Sequence, residues 1–110
     1  NNPLQALTLL NDVMFTDLAR HAGRSVAVDA DSEMTRATLL FRRVLVRPPE
    51  ESELHSIIPF ARSLRESFSA DTVRARELTN TNESVISDRD AVEQAVWIGT
   101  ARALVVGSGS

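Results

Sequence analysis

Apolar residues recur along this chain at three- and four-residue spacing, in blocks separated by polar capping residues, prolines or short polar stretches. Asn2 before Pro3 reads as a helix start, with a helix expected to about Leu10. Asn11 and Asp12 interrupt the pattern and can cap a second helix, whose apolar positions are Phe15, Leu18, Ala19, Ala22 and Val26. Gly23 predicts a weak last turn there, and Ala27 to Asp31 reads as a connection. A single bent helix from Pro3 to Val26 is the alternative.

Asp31 or Ser32 can cap a third helix carrying Met34, Ala37, Phe41, Val44 and Leu45, stopped by Arg47-Pro48-Pro49. The next helix opens with Glu50, Glu51 and Glu53 and continues with Leu54, Ile57, Ile58, Ala61, Leu64 and Phe68. Pro59 inside it predicts a kink that bends the helix around the core. Asp71 to Thr79 reads as a short helix and Asn80 to Ser87 as a polar loop. Ser87 or Asp88 caps a last helix carrying Val92, Ala95, Val96, Gly99 and Ala103, its face widened by Trp97 and Leu104. No strand alternation, hairpin signal or long repeat accompanies this pattern, so the fold class is all-α, a compact bundle of about five or six helices.

At 110 residues and 43% hydrophobic content, one domain over residues 1–106 with a thin core is expected. The ends, without an initiator methionine and with Gly107-Ser108-Gly109-Ser110, read as a fragment of a larger protein followed by a flexible linker, 107–110. No apolar run reaches the roughly 20 residues of a membrane span, so membrane insertion is not expected. The net charge of −3 is scattered, and nucleic acid is not an expected partner. All twelve basic residues are arginine, which reads as a GC-rich coding sequence.

Candidate chemistry is sparse. With no cysteine there is no thiolate chemistry, and His21 and His55 sit on different helices as surface or interface residues. No catalytic, cofactor-binding or metal residues are assigned, and no cofactor is expected. Glu50, Glu51 and Glu53 are explained by the positive end of their helix better than by an acid/base pair. Arg42, Arg43 and Arg47 are cations at a helix C-terminus rather than an anion site. The serines around the fourth helix lack a nucleophile elbow, and Trp97, between Val96 and Ile98, belongs to the core. The candidate interface is Leu4, Leu7, Leu9 and Leu10. With Ala6 these leucines spread over about 220° of the first helix, against the ~100° that one packed face covers.

The stretch from Asn2 to Asp12 closely resembles a signature of the planctomycete PSD domain family, domain of unknown function 1553. The resemblance continues through Phe41, Arg47-Pro48-Pro49 with Glu53-Leu54, Trp97, and Ala101-Arg102-Ala103-Leu104. It implies the C-terminal helical part of a large, exported or cell-envelope bacterial protein that also carries cytochrome-c-like and other domains. The family has no established catalytic residues to carry over. Two departures stand out: Val13 where the family often has proline, and Val105-Val106-Gly107 where it continues into an Asn and acidic-aromatic tail. The expected function is a non-catalytic packing or protein-interaction module. Its partners would be the upstream domains of the parent protein, with weak self-association. The alternative is part of an enzyme site, for carbohydrate breakdown, completed by upstream domains; a redox role beside a haem domain is a third.

Overall fold

A computed structural model describes residues 12–79 and 86–108, without the side chains of 12–16, 107 and 108. Among the described residues the chain is all helix: α1 (Asp12–Asp29), α2 (Glu33–Val44), α3 (Glu51–Ala70), α4 (Thr72–Thr79) and α5 (Asp88–Ser108). The expected helix from Pro3 to Leu10, the bent-helix alternative and Leu4, Leu7, Leu9 and Leu10 all lie outside the described residues. So does the polar stretch 80–85.

The helix starts follow the capping residues in the sequence. Ser32 Oγ accepts from the Thr35 N–H at 3.1 Å and opens α2. Ser87 Oγ does the same for the Asp90 N–H at 3.1 Å before α5, and Asp71 Oδ1 for the Arg74 N–H at 3.2 Å before α4. At α3 the Glu50 N–H donates to Glu53 Oε1 at 2.9 Å, the return half of a capping box. Between α2 and α3 the chain turns through Val46 at φ 58°, a left-handed conformation that a β-branched side chain resists. Val46 is exposed there, and Arg47-Pro48-Pro49 follows.

The last described helix is the axis of the bundle. Most helices here are apolar on one stripe, but α5 is apolar nearly all round, the pattern of a helix enclosed by others. It packs against each of the other four, burying Ala91, Val92, Ala95, Val96, Trp97, Ile98, Ala101 and Leu104. Trp97 and Phe41 are the largest side chains fully removed from solvent. The buried hydroxyls of Thr79 and Thr100 donate to the carbonyls of Arg76 and Val96, both at 2.8 Å, so neither is left unpaired.

Two sequence expectations change. Gly23 does not loosen the end of α1: it is buried, and a Cβ there would stand 2.5 Å from the Ile98 Cα, closer than side chains pack. The glycine lets two helix backbones approach, and α1 continues to Asp29. Its last turn is held by Arg36, which donates from Nη2 to the Ala27 carbonyl at 2.9 Å and from Nε to the Ala30 carbonyl at 2.8 Å. Pro59, where the sequence predicts a kink, lies within the continuous span of α3 with its ring exposed. The carbonyl it deprives of a donor belongs to His55, also exposed, where water can serve it. Helix α5 runs on to Ser108, beyond the boundary expected at 106.

Candidate functional site

A groove of about 890 Å³ lies where the starts of α2, α4 and α5 meet the C-terminal part of α3. Its inner wall is built from charge. Glu93, on the polar flank of α5, is turned towards α2 and α3, whose arginines reach it from two sides. Arg36 Nη1 lies 2.7 Å from Glu93 Oε1, while Arg65 holds Glu93 in a fork, Nη2 to Oε1 at 2.8 Å and Nε to Oε2 at 3.0 Å. The Trp97 indole Nε1, one turn further along α5, donates to the same Oε1 at 3.0 Å. Arg65 also donates through Nη1 to Glu33 Oε1 at 3.1 Å, and Arg62 pairs with Glu33 Oε2 at 3.1 Å. Three helices, α2, α3 and α5, are thus joined through two carboxylates.

Burial drives the Glu93 carboxyl upward, but hydrogen bonds from Arg65 and Trp97 and the charges of Arg65 and Arg36 outweigh it and hold it below its ordinary value. The Arg65 guanidinium is held more firmly protonated, chiefly by its hydrogen bond to Glu93. These are groups stabilised in their charged forms. A general acid or base needs a proton it can release or take near working pH, and neither Glu93 nor Arg65 offers one. The fixed guanidinium forks instead act as struts.

His21 lies exposed on α1 and His55 exposed on α3. Among the described residues no group of three or more His, Asp or Glu side chains is placed to hold a metal. Glu53 does more than complement a helix end. It takes a fork from Arg47, Nη1 to Oε1 at 2.7 Å and Nη2 to Oε2 at 2.6 Å, and that contact first, then the Glu50 N–H, lowers its pKa to about 2. Arg47 in turn lies over the Phe41 ring, 5.8 Å from its centre. Arg43 reaches back to Ser25 Oγ at 2.7 Å and Asp29 Oδ2 at 2.9 Å. Of the basic cluster at the end of α2, Arg43 and Arg47 are therefore committed to the chain's own acceptors.

A second cleft, about 480 Å³, opens between α3, α4 and α5. Phe68, Leu78 and Gly99 form its floor, and Arg74, Glu77 and Arg102 stand at its rim. These three charged side chains make no ion pair among the described residues.

Glu93, Arg36, Arg65 and Glu33 were not singled out from the sequence. The available signal was Glu93 itself, a carboxylate inside the apolar run of α5 and one turn before the only tryptophan. A charge in that setting needs a partner.

Fold and site together define an all-α bundle tied around a central helix by arginine–glutamate struts. The chain belongs to the PSD1 family, described as a protein of unknown function (DUF1553), whose model matches residues 1–61. The match covers α1, α2 and the first half of α3, and stops short of Trp97 and Ala101 to Leu104. No curated protein and no solved structure matches the chain. Among the described residues no helix is long and apolar enough to cross a membrane.

Proposed function

We propose that this chain is a non-catalytic helical packing and protein-interaction module of a large, exported bacterial protein, joined to the upstream domains of that protein through Leu4, Leu7, Leu9 and Leu10. The observation that carries the reading is the groove around Glu93. Its central carboxylate takes three donors, and Arg36 spends its remaining bonds on backbone carbonyls, so the polar inventory there serves packing. The leucines supply the interface: an apolar arc of about 220° needs more than one covering surface. The family match includes that segment.

Sedimentation over a range of concentrations tests the leucines. Weak self-association is expected for the chain, and a Leu4→Ser/Leu7→Ser variant shifts towards monomer. A chain that stays monomeric at high concentration, with every leucine covered within one copy, removes the docking role.

A further inference from the structure

We propose that the cleft between α3, α4 and α5 receives an acidic, apolar segment of another polypeptide. A partner carboxylate sits between Arg74 and Arg102, and an apolar side chain lies on Phe68, Leu78 and Gly99. The proposal deepens the reading of this chain as a polypeptide-binding module but uses a different surface from the leucines. Sedimentation reads one and the titration below reads the other, so either can fail alone.

The charges give the first argument. Many arginines of the bundle are spent on acceptors of the same chain, Arg36 and Arg65 on Glu93, Arg47 on Glu53 and Arg43 on Asp29, whereas Arg24, Arg42 and Arg89 are exposed singly. Arg74 and Arg102 are exposed at one cleft, approach it from two different helices, and have no such acceptor among the described residues. With Glu77 the rim carries one net positive charge, whereas the larger groove, with Arg36, Arg65 and Arg89 against Asp31, Asp88, Asp90 and Glu93, carries one net negative charge and has Arg36 and Arg65 committed to Glu93. Charge complementarity at this cleft therefore asks for an anion from outside.

The floor gives the second. Gly99 stands in the interior of α5, where glycine is less favourable than alanine by about 1 kcal/mol. The missing side chain makes room for Leu64, whose Cδ1 would stand 2.8 Å from a Cβ there, and the bare α5 backbone at Gly99 lines the cleft beside Phe68 and Leu78. An apolar floor behind a charged rim is the arrangement of a polypeptide interface. A volume of about 480 Å³ is within the range that holds a bulky group. Glu77 adds orientation, because it repels a carboxylate placed on its side and accepts a backbone N–H.

The test is an NMR titration of the full chain, following backbone amides, with a decapeptide of aspartate, glutamate, leucine and phenylalanine. Its counterpart with lysine in place of both acids and sodium benzoate are the comparison probes. Saturable shifts confined to residues 74–78 and 99–102 are expected, with affinity lower by about tenfold in Arg74→Ser/Arg102→Ser and raised by about twofold in Glu77→Gln. The same spectra verify that the variants remain folded. Absence of saturable shifts, equal binding of the lysine peptide or an unchanged double variant overturns the proposal. So does benzoate binding as tightly as the peptide, which would make this a small-carboxylate site.

Discussion

Helix α5 meets its neighbours in two different ways. Along α1 the contact is dry and made of small residues: Ala19, Ala22, Gly23 and Val26 face a side of α5 that includes Ile98, and the two backbones nearly touch. Ala27 sits near Glu93, since Arg36 reaches both, and Gly23 near Ile98, so the two helices run antiparallel. Towards α2 and α3 the contact includes guanidinium groups directed at Glu93. The first seam fixes distance through shape alone and tolerates no added atom. The second fixes register through directed hydrogen bonds and tolerates little loss of charge.

Trp97 belongs to both regions, with its ring in the core and its N–H on Glu93, so its removal has the largest effect. Trp97→Ala is expected to cost about 3–5 kcal/mol in urea unfolding. A loss below about 1 kcal/mol would show that the ring is not packed as described. Glu93→Ala leaves two arginines facing each other without their carboxylate and is expected to cost about 2–4 kcal/mol. An Arg36→Met/Glu93→Leu pair should recover part of that loss; if it recovers none, the struts contribute more than charge balance.

Gly23→Ala forces α1 and α5 apart at a backbone contact and is expected to cost about 1–3 kcal/mol, more than the ~1 kcal/mol gained from helix propensity can offset. Were Gly23→Ala stabilising, the seam would not be set by shape.

The smallest effect concerns pH. Glu53 has a folded pKa of about 2 against an ordinary 4.5, so its contribution is complete above about pH 4.5 and is lost as pH falls towards 2. Glu93 is shifted in the same direction. Unfolding midpoints measured between pH 6 and pH 3 should fall, and should fall less steeply in Glu53→Gln. Parallel slopes for the two proteins would mean that the Arg47–Glu53 fork does not persist in solution.

The seam and the struts were unequally legible in the sequence. Helix periods, the caps at Ser32 and Ser87, the burial of Trp97 and the exposed histidines follow from local spacing, which a single chain displays directly. Glu33, Arg36, Arg65 and Glu93 come from three helices, and nothing local distinguishes Arg65 from its exposed neighbours Arg62 and Glu66. A glycine inside a helix has two meanings, a weak turn or a close approach, and at Gly23 only the neighbour across the seam decides. Arginine-only usage, taken as a trace of coding sequence, also has a structural use. The forks at Glu53 and Glu93 and the three-way reach of Arg36 need a planar guanidinium that lysine lacks.

That α5 is the common neighbour of all the other described helices has a kinetic consequence. The most intimate partner of α1 lies some seventy positions further along the chain, so the chain must close a long loop before the small-residue seam can form, and loop closure of that kind slows folding. During synthesis the segments that become α1 to α4 emerge first and have no shared axis to assemble on. Their apolar stripes stay open to chaperones and to one another until α5 has been made. Assembly is then expected to be late and cooperative rather than progressive.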